Sequence, residues 1–110
     1  MSTYQSLGPI DRDESIALLA SDESRIVSET ILRLALHDAD GAWVTDRALA
    51  LLDNADTGVR ASAATALGHI ARIHREIDRD RVVPALRRLL DNPETAGRAD
   101  DALDDIEVFT

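Results

Sequence analysis

Three histidines are the residues whose type first suggests chemistry, because an imidazole can bind a metal ion or transfer a proton. They stand at positions 37, 69 and 74. Two ligands on one face of a helix are three or four residues apart, whereas His69 and His74 are five apart. The chain has no cysteine to complete a thiolate site. We therefore expect no metal and no cofactor, and we interpret His69 as a surface contact residue.

Motifs for covalent or phosphoryl chemistry are missing from the sequence. It contains no glycine-rich phosphate loop, no nucleophile elbow and no paired-carboxylate motif in a catalytic context. We therefore predict a protein without enzymatic activity. A small enzyme or ligand carrier is the alternative, and a small molecule held in a pocket lined by His69, Arg72 and His74 would favour it.

Polar side chains recur at helical spacing between residues 62 and 76. Positions i, i+3, i+7, i+10 and i+14 fall on one side of a helix, and here they are Ser62, Thr65, His69, Arg72 and Glu76. A repeat of 35–36 residues runs through the chain and extends this stripe to both sides. It places Thr30 and Leu34 on one flank, and Arg98, Asp101 and Asp105 on the other. We predict a binding face here, with plain solvent exposure as the alternative at each position.

Negative charge is concentrated near the end of the chain, at Asp100, Asp101, Asp104, Asp105 and Glu107. Like charges one helical turn apart repel by a few tenths of a kcal/mol, and the helix dipole disfavours them near a C-terminus. A patch kept despite this cost suits a cationic partner, for instance by mimicking phosphates. The alternative is a solvated outer face on the last unit of an array.

These residues are positioned by a repeat that runs through the chain. Three similar segments place Leu32, Leu67 and Leu103 at offsets of 35 and 36 residues, a period typical of stacked helical hairpins. We predict first helices at 13–20, 42–53 and 80–91, and second helices at 23–37, 57–75 and 94–107. The fold class is therefore all-α, an α-α superhelix of about three helical hairpins. It forms one domain over 1–110, with a loose leader at 1–12 and units at 13–38, 42–76 and 79–108.

Helix starts should be marked by aspartates whose side chains accept from free backbone amides. We expect Asp22, Asp56 and Asp80 in this role, and Pro84 in the first turn of the helix that begins near Asp80. The arginines at 25 and 60 follow the first two caps closely, and we expect them to join neighbouring units through ion pairs and helix-end contacts.

Composition limits the class of partner. The 110 residues carry a formal net charge of −9, 45% are hydrophobic, and every one of the 12 basic residues is arginine. An acidic surface repels phosphate backbones, so we expect no nucleic-acid partner. The acidity either attracts a basic protein or reflects a GC-rich or salt-rich host. No signal peptide and no membrane-spanning length of apolar residues is visible, so we expect no membrane contact and a cytoplasmic protein.

One family resemblance covers nearly the whole chain from Asp13. Residues 51–68 read LLDNADTGVRASAATALG and are similar to a HEAT repeat, and the resemblance is strongest over residues 48–106. The first unit departs from the pattern at Ser28 and Glu29. Membership implies an armadillo-like solenoid whose second helices line a concave face that binds macromolecules. It leaves open what is bound.

A narrower resemblance rests on residues 66–74, ALGHIARIH, and residues 98–106, RADDALDDI. These runs are similar to short bacterial HEAT proteins encoded beside polymorphic toxins and regarded as immunity proteins. The resemblance implies a cytosolic protein that neutralises a delivered toxin by occluding it. With the small size, the acidity, the stripe and the acidic last helix, it leads us to predict a monomer that binds a cognate toxin one to one, the toxin being basic, for example a nuclease. The predicted partner-binding residues are Thr65, His69, Arg72, Glu76, Arg98, Asp101, Asp104 and Asp105. The alternatives are an adaptor or scaffold for a host protein, and self-assembly through exposed Trp43 and Phe109.

Overall fold

The computed structural model describes residues 8–110; the first seven residues, part of the predicted leader, lie outside that range. The described chain forms six α-helices and no strand. They are α1 (Arg12–Leu19), α2 (Ser24–His37), α3 (Gly41–Leu51), α4 (Thr57–His74), α5 (Arg79–Arg88) and α6 (Pro93–Phe109), with a 3₁₀ turn at Leu89–Asp91. The predicted all-α architecture of helical hairpins is confirmed.

The second helix of each hairpin belongs to one layer, with α4 in the middle and packed against both α2 and α6. The first helices cover this layer: α1 packs on α2, α3 on α4 and α2, and α5 on α6. Small residues on α4 let its neighbours approach closely, among them Ala63, Ala66 and Ala71, all fully or almost fully buried. The larger side chains of the core are aliphatic, chiefly Ile31, Leu34, Leu67, Ile70, Leu86 and Ile106.

Two of the three expected helix caps are wrong. Asp56 does cap α4, because its carboxylate accepts from the Val59 amide at 3.0 Å. The cap of α5, however, is Asp78, whose side chain accepts from the Arg81 amide, and Asp80 lies inside the first turn. Ahead of α2 the cap position belongs to Glu23, which makes no side-chain cap bond, so Asp22 has no capping role.

Proline 84 is not in a first turn, because α5 begins at Arg79 and the proline is its sixth residue. The missing amide leaves the carbonyl of Asp80 without its usual helical partner. The arginines at 25 and 60 do not join neighbouring units either. Arg25 pairs with Glu29 one turn along the same helix at 3.0 Å. Arg60 donates at 2.7 Å to the Asn54 carbonyl in the turn that precedes its own helix.

Candidate partner-binding site

A cleft of about 290 Å³ lies between α4 and α6. Its lining contains five of the eight residues that the sequence singled out as partner contacts, although these come from two segments about 30 residues apart. The lining residues are Thr65, His69, Arg98, Asp101, Ala102 and Asp105. Residues of the stripe on α4 and of the acidic segment of α6 therefore line the two walls of one cleft.

Gly68 sets the depth of this cleft by letting the two helices approach. A Cβ atom at this position would lie 3.2 Å from the Cα of Ala102 and 2.9 Å from Oδ2 of Asp105. Both distances are shorter than ordinary van der Waals contact between such atoms. The carboxylate of Asp105 therefore lies directly against the bare backbone of α4.

Arg72 lies beside the cleft and contacts two of its lining residues, His69 and Asp105. Its Nη2 donates to Nδ1 of His69 at 2.8 Å, so that ring nitrogen is the acceptor and the proton of the neutral ring is on Nε2. Burial lowers the pKa of His69, the Arg72 charge lowers it further, and Asp105 opposes both effects. The imidazole is therefore held in its neutral form. Arg72 also faces Asp105, with 3.8 Å between Nη1 and Oδ2.

Arg98 reaches across the cleft from α6 to α4. Its Nη1 donates to Oγ1 of Thr65 at 2.9 Å, and this bond joins two exposed or half-exposed side chains. Arg72 and Arg98 therefore each use one guanidinium nitrogen in a hydrogen bond to an uncharged side chain of α4.

Three predicted contact residues are not part of the cleft lining: Glu76, Asp104 and Arg72, which contacts two lining residues from beside the cleft. Helix α4 ends at His74, and Arg75 takes a left-handed conformation with φ of 61°. The chain turns away there, so Glu76 does not continue the stripe as i+14 and instead lines a separate groove. Asp104 is exposed on α6 and is not part of the cleft lining.

The expected second flank of the stripe is not a surface. Thr30 is 1% exposed and Leu34 is fully buried, because α2 packs directly on α4. The hydroxyl of Thr30 donates to the Ile26 carbonyl of its own helix at 2.7 Å. The placement of both residues beside an open face was wrong, and the surface that carries the predicted residues is the α4–α6 side alone.

The proposed aromatic anchors are covered. Trp43 is half-buried against the core, with the guanidinium carbon of Arg12 at 4.2 Å and that of Arg47 at 5.1 Å from its ring centroid. Phe109 is also half-buried, with Arg75 at 5.1 Å. Neither ring is therefore the fully exposed side chain that the sequence suggested.

A second, larger groove of about 690 Å³ lies beside the start of α3 and was not predicted. Its two arginines are engaged: Arg12 pairs with Asp38 at 2.9 Å, and Arg81 pairs with Asp78 at 2.6 Å. The residues that line this groove come from several separate segments, so no periodic pattern in the sequence predicts it. The lining residues are Arg12, Asp38, Ala39, Asp40, Gly41, Ala42, Thr45, His74, Glu76, Ile77, Asp78 and Arg81.

The three residues suggested for a small-molecule pocket do not converge. His74 lines this second groove, whereas His69 lines the α4–α6 cleft. Over residues 8–110, no three histidine, cysteine or acidic side chains cluster as a metal site requires. No helix in the same range has both the length and the apolar character needed to cross a bilayer.

A chain of similar fold occurs in the crystal structure of a CDI complex from Cupriavidus taiwanensis LMG 19424. It is 28% identical to this chain with a TM-score of 0.84, and the match covers 99% of this chain and 98% of that one. No protein-family model and no curated protein matches the sequence. The likeness therefore extends over the whole described fold, and the resemblance to HEAT repeats stays a prediction.

Proposed function

We propose that this protein is an immunity protein, which binds a toxin domain and neutralises it by covering its active surface. The observation that carries the proposal is the full-length similarity to a chain of a CDI complex. CDI denotes contact-dependent inhibition, in which a toxin is paired with an immunity protein. The match covers almost all of both chains, so the similarity concerns the whole arrangement of helices rather than one hairpin.

Of the two members of such a complex, the immunity protein is the one that this surface fits. The net charge of −9 favours encounter with a basic protein, since complementary charge raises association rates. The α4–α6 cleft adds directional groups to that general attraction, because hydrogen-bonding side chains from both helices line it. A basic toxin, such as a nuclease that itself binds phosphates, has the matching surface.

The proposed contact surface is the α4–α6 face, centred on Thr65, His69, Arg98, Asp101 and Asp105. Its side chains project from helices rather than from loops, so little ordering is needed when a partner docks. Binding of one toxin domain by one copy of this chain, in the cytoplasm where a delivered toxin acts, is the simplest arrangement that uses this face.

The test combines capture with protection. Tagged protein is used as bait in its own host, and each retained protein is then expressed in a sensitive strain with and without this chain. We expect one retained protein to arrest growth alone, to be harmless when this chain is co-expressed, and to elute with it at one-to-one mass. Retention of housekeeping proteins alone, or growth arrest that this chain does not relieve, would refute the immunity function and favour a host adaptor.

A further inference from the structure

The two carboxylates of the α4–α6 cleft, Asp101 and Asp105, make no close ion pair and no hydrogen bond with the other described residues. Asp105 is 31% exposed in its side chain, and its only charged contact among the described residues is Arg72 at 3.8 Å, with no hydrogen bond. Asp101 has neither an ion pair nor a hydrogen bond in that part of the chain. The other arginine–carboxylate pairs among the described residues are closer, at 2.6–3.3 Å.

The nearby guanidinium groups donate to neutral side chains of α4 and make no hydrogen bond to either carboxylate. Arg72 donates to His69, and Arg98 donates to Thr65. The carboxylate of Asp105 already lies against Gly68, so it cannot move further in between α4 and α6. The cleft therefore presents two carboxylates with free lone pairs, one of them held in place by the contact between the helices.

We propose that this cleft receives an arginine side chain of the partner, whose guanidinium donates to Asp101 and Asp105 together. The inference rests on the proposed function and names the chemistry by which the toxin is recognised. The two aspartates are four residues apart on α6, so they are neighbours on one face at about 5–6 Å between Cβ atoms. A guanidinium has five donors in a planar fork and can bridge two such acceptors.

Arginine suits this site better than lysine for two reasons. The guanidinium is more weakly hydrated than an ammonium group, so less hydration is lost when it enters a half-buried cleft. The uncharged groups of the lining, Thr65, Ala102 and the neutral ring of His69, give its flat surface something to pack on.

The first experiment uses a small probe and does not depend on finding the toxin. N-acetyl-arginine amide is titrated into the full chain to 100 mM while backbone amide resonances are followed by NMR. We expect saturable shifts at Thr65, His69 and Ala102 with a Kd on the order of millimolar, since one side chain carries only a fraction of an interface. N-acetyl-citrulline amide, which has the same shape without the charge, should leave these resonances in place. Absence of shifts with the arginine probe would overturn the inference.

Matched variants locate the effect. Asp105→Asn and Asp101→Asn each remove one cleft carboxylate, while Asp104→Asn removes the same charge from the same helix outside the cleft. Loss of a charge-assisted hydrogen bond should weaken affinity for the captured toxin by about 10- to 100-fold for each cleft variant. The Asp104 variant should change it by less than about threefold, as exposed charges do. Unchanged circular dichroism confirms that all three are folded.

The outcomes separate this inference from the proposed function. A toxin that is bound and neutralised equally well by all three variants would overturn the arginine site and leave the immunity function standing. Cleft-specific shifts with the arginine probe, lost in Asp105→Asn, would support the site even if no toxin were captured, and the immunity function alone would then fail.

Discussion

Replacing Gly68 by alanine tests how closely α4 and α6 approach, and Gly97→Ala provides the matched control. Both glycines are inside helices, but a Cβ at Gly97 would meet nothing within 4 Å. Alanine there should stabilise the fold by about 0.5–1 kcal/mol, because glycine is the poorer helix former.

The same gain at Gly68 is opposed by overpacking. The new methyl group would lie 3.2 Å from the Cα of Ala102, a backbone atom that cannot move unless α6 moves with it. Inserting a methyl group into a tight contact costs about 1–3 kcal/mol. The unfolding free energies of Gly68→Ala and Gly97→Ala should therefore differ by about that amount, with Gly68→Ala the less stable.

Urea unfolding followed by circular dichroism measures both variants against the parent chain. Equal slopes of unfolding free energy against urea concentration show that the difference is one of stability. In thermal scans a difference of 1 kcal/mol corresponds to roughly 4–8 °C for a domain of about this size. If Gly68→Ala were as stabilising as Gly97→Ala, the helices could not be in the close contact that holds Asp105 in the cleft.

Two further predictions concern a helix cap and a pH dependence. Asp56→Ala should destabilise the fold by about 0.5–2 kcal/mol because the Val59 amide loses its acceptor, whereas Asp22→Ala, which removes an exposed charge and no cap, should change stability little. The folded-state pKa of His69 is lowered, so the folded state binds fewer protons than the unfolded one as pH falls through 6.5. Stability should therefore decline between pH 7.5 and 5.5, and less so in His69→Gln; an identical decline in that variant would contradict this assignment.

The helices were predictable because their apolar positions recur at helical spacing and each recurs in the next unit. Caps were less predictable, since the chain has aspartates at neighbouring positions. Asp78 and Asp80 both precede or begin α5, and only the backbone angles decide which carboxylate reaches a free amide. Before α4 the other capping residue types are Asn54 and Thr57 rather than a second nearby aspartate, and there the prediction of Asp56 was right.

The site was predictable where it follows a single helix or the repeat offset. That offset placed Arg98, Asp101 and Asp105 beside Thr65 and His69, as the cleft shows. The repeat offset wrongly placed Thr30 on an open face. Thr30 lies on α2, which packs directly against α4, so its side chain is buried. The prediction failed at Glu76 because a single left-handed residue ends α4, and arginine at that position carries no sequence signal for such a turn.

The central position of α4, between α2 and α6, has a kinetic consequence. If either α2 or α6 opens locally, the other still covers α4. We therefore expect the backbone amides of α4 to exchange with solvent only through global unfolding. Helix α1, which packs on α2 alone among its principal contacts, should exchange through smaller openings. A partner that docks on the α4 wall of the cleft would thus meet the slowest-moving part of the chain, and the lifetime of the complex would be set by breaking contacts rather than by local melting of this protein.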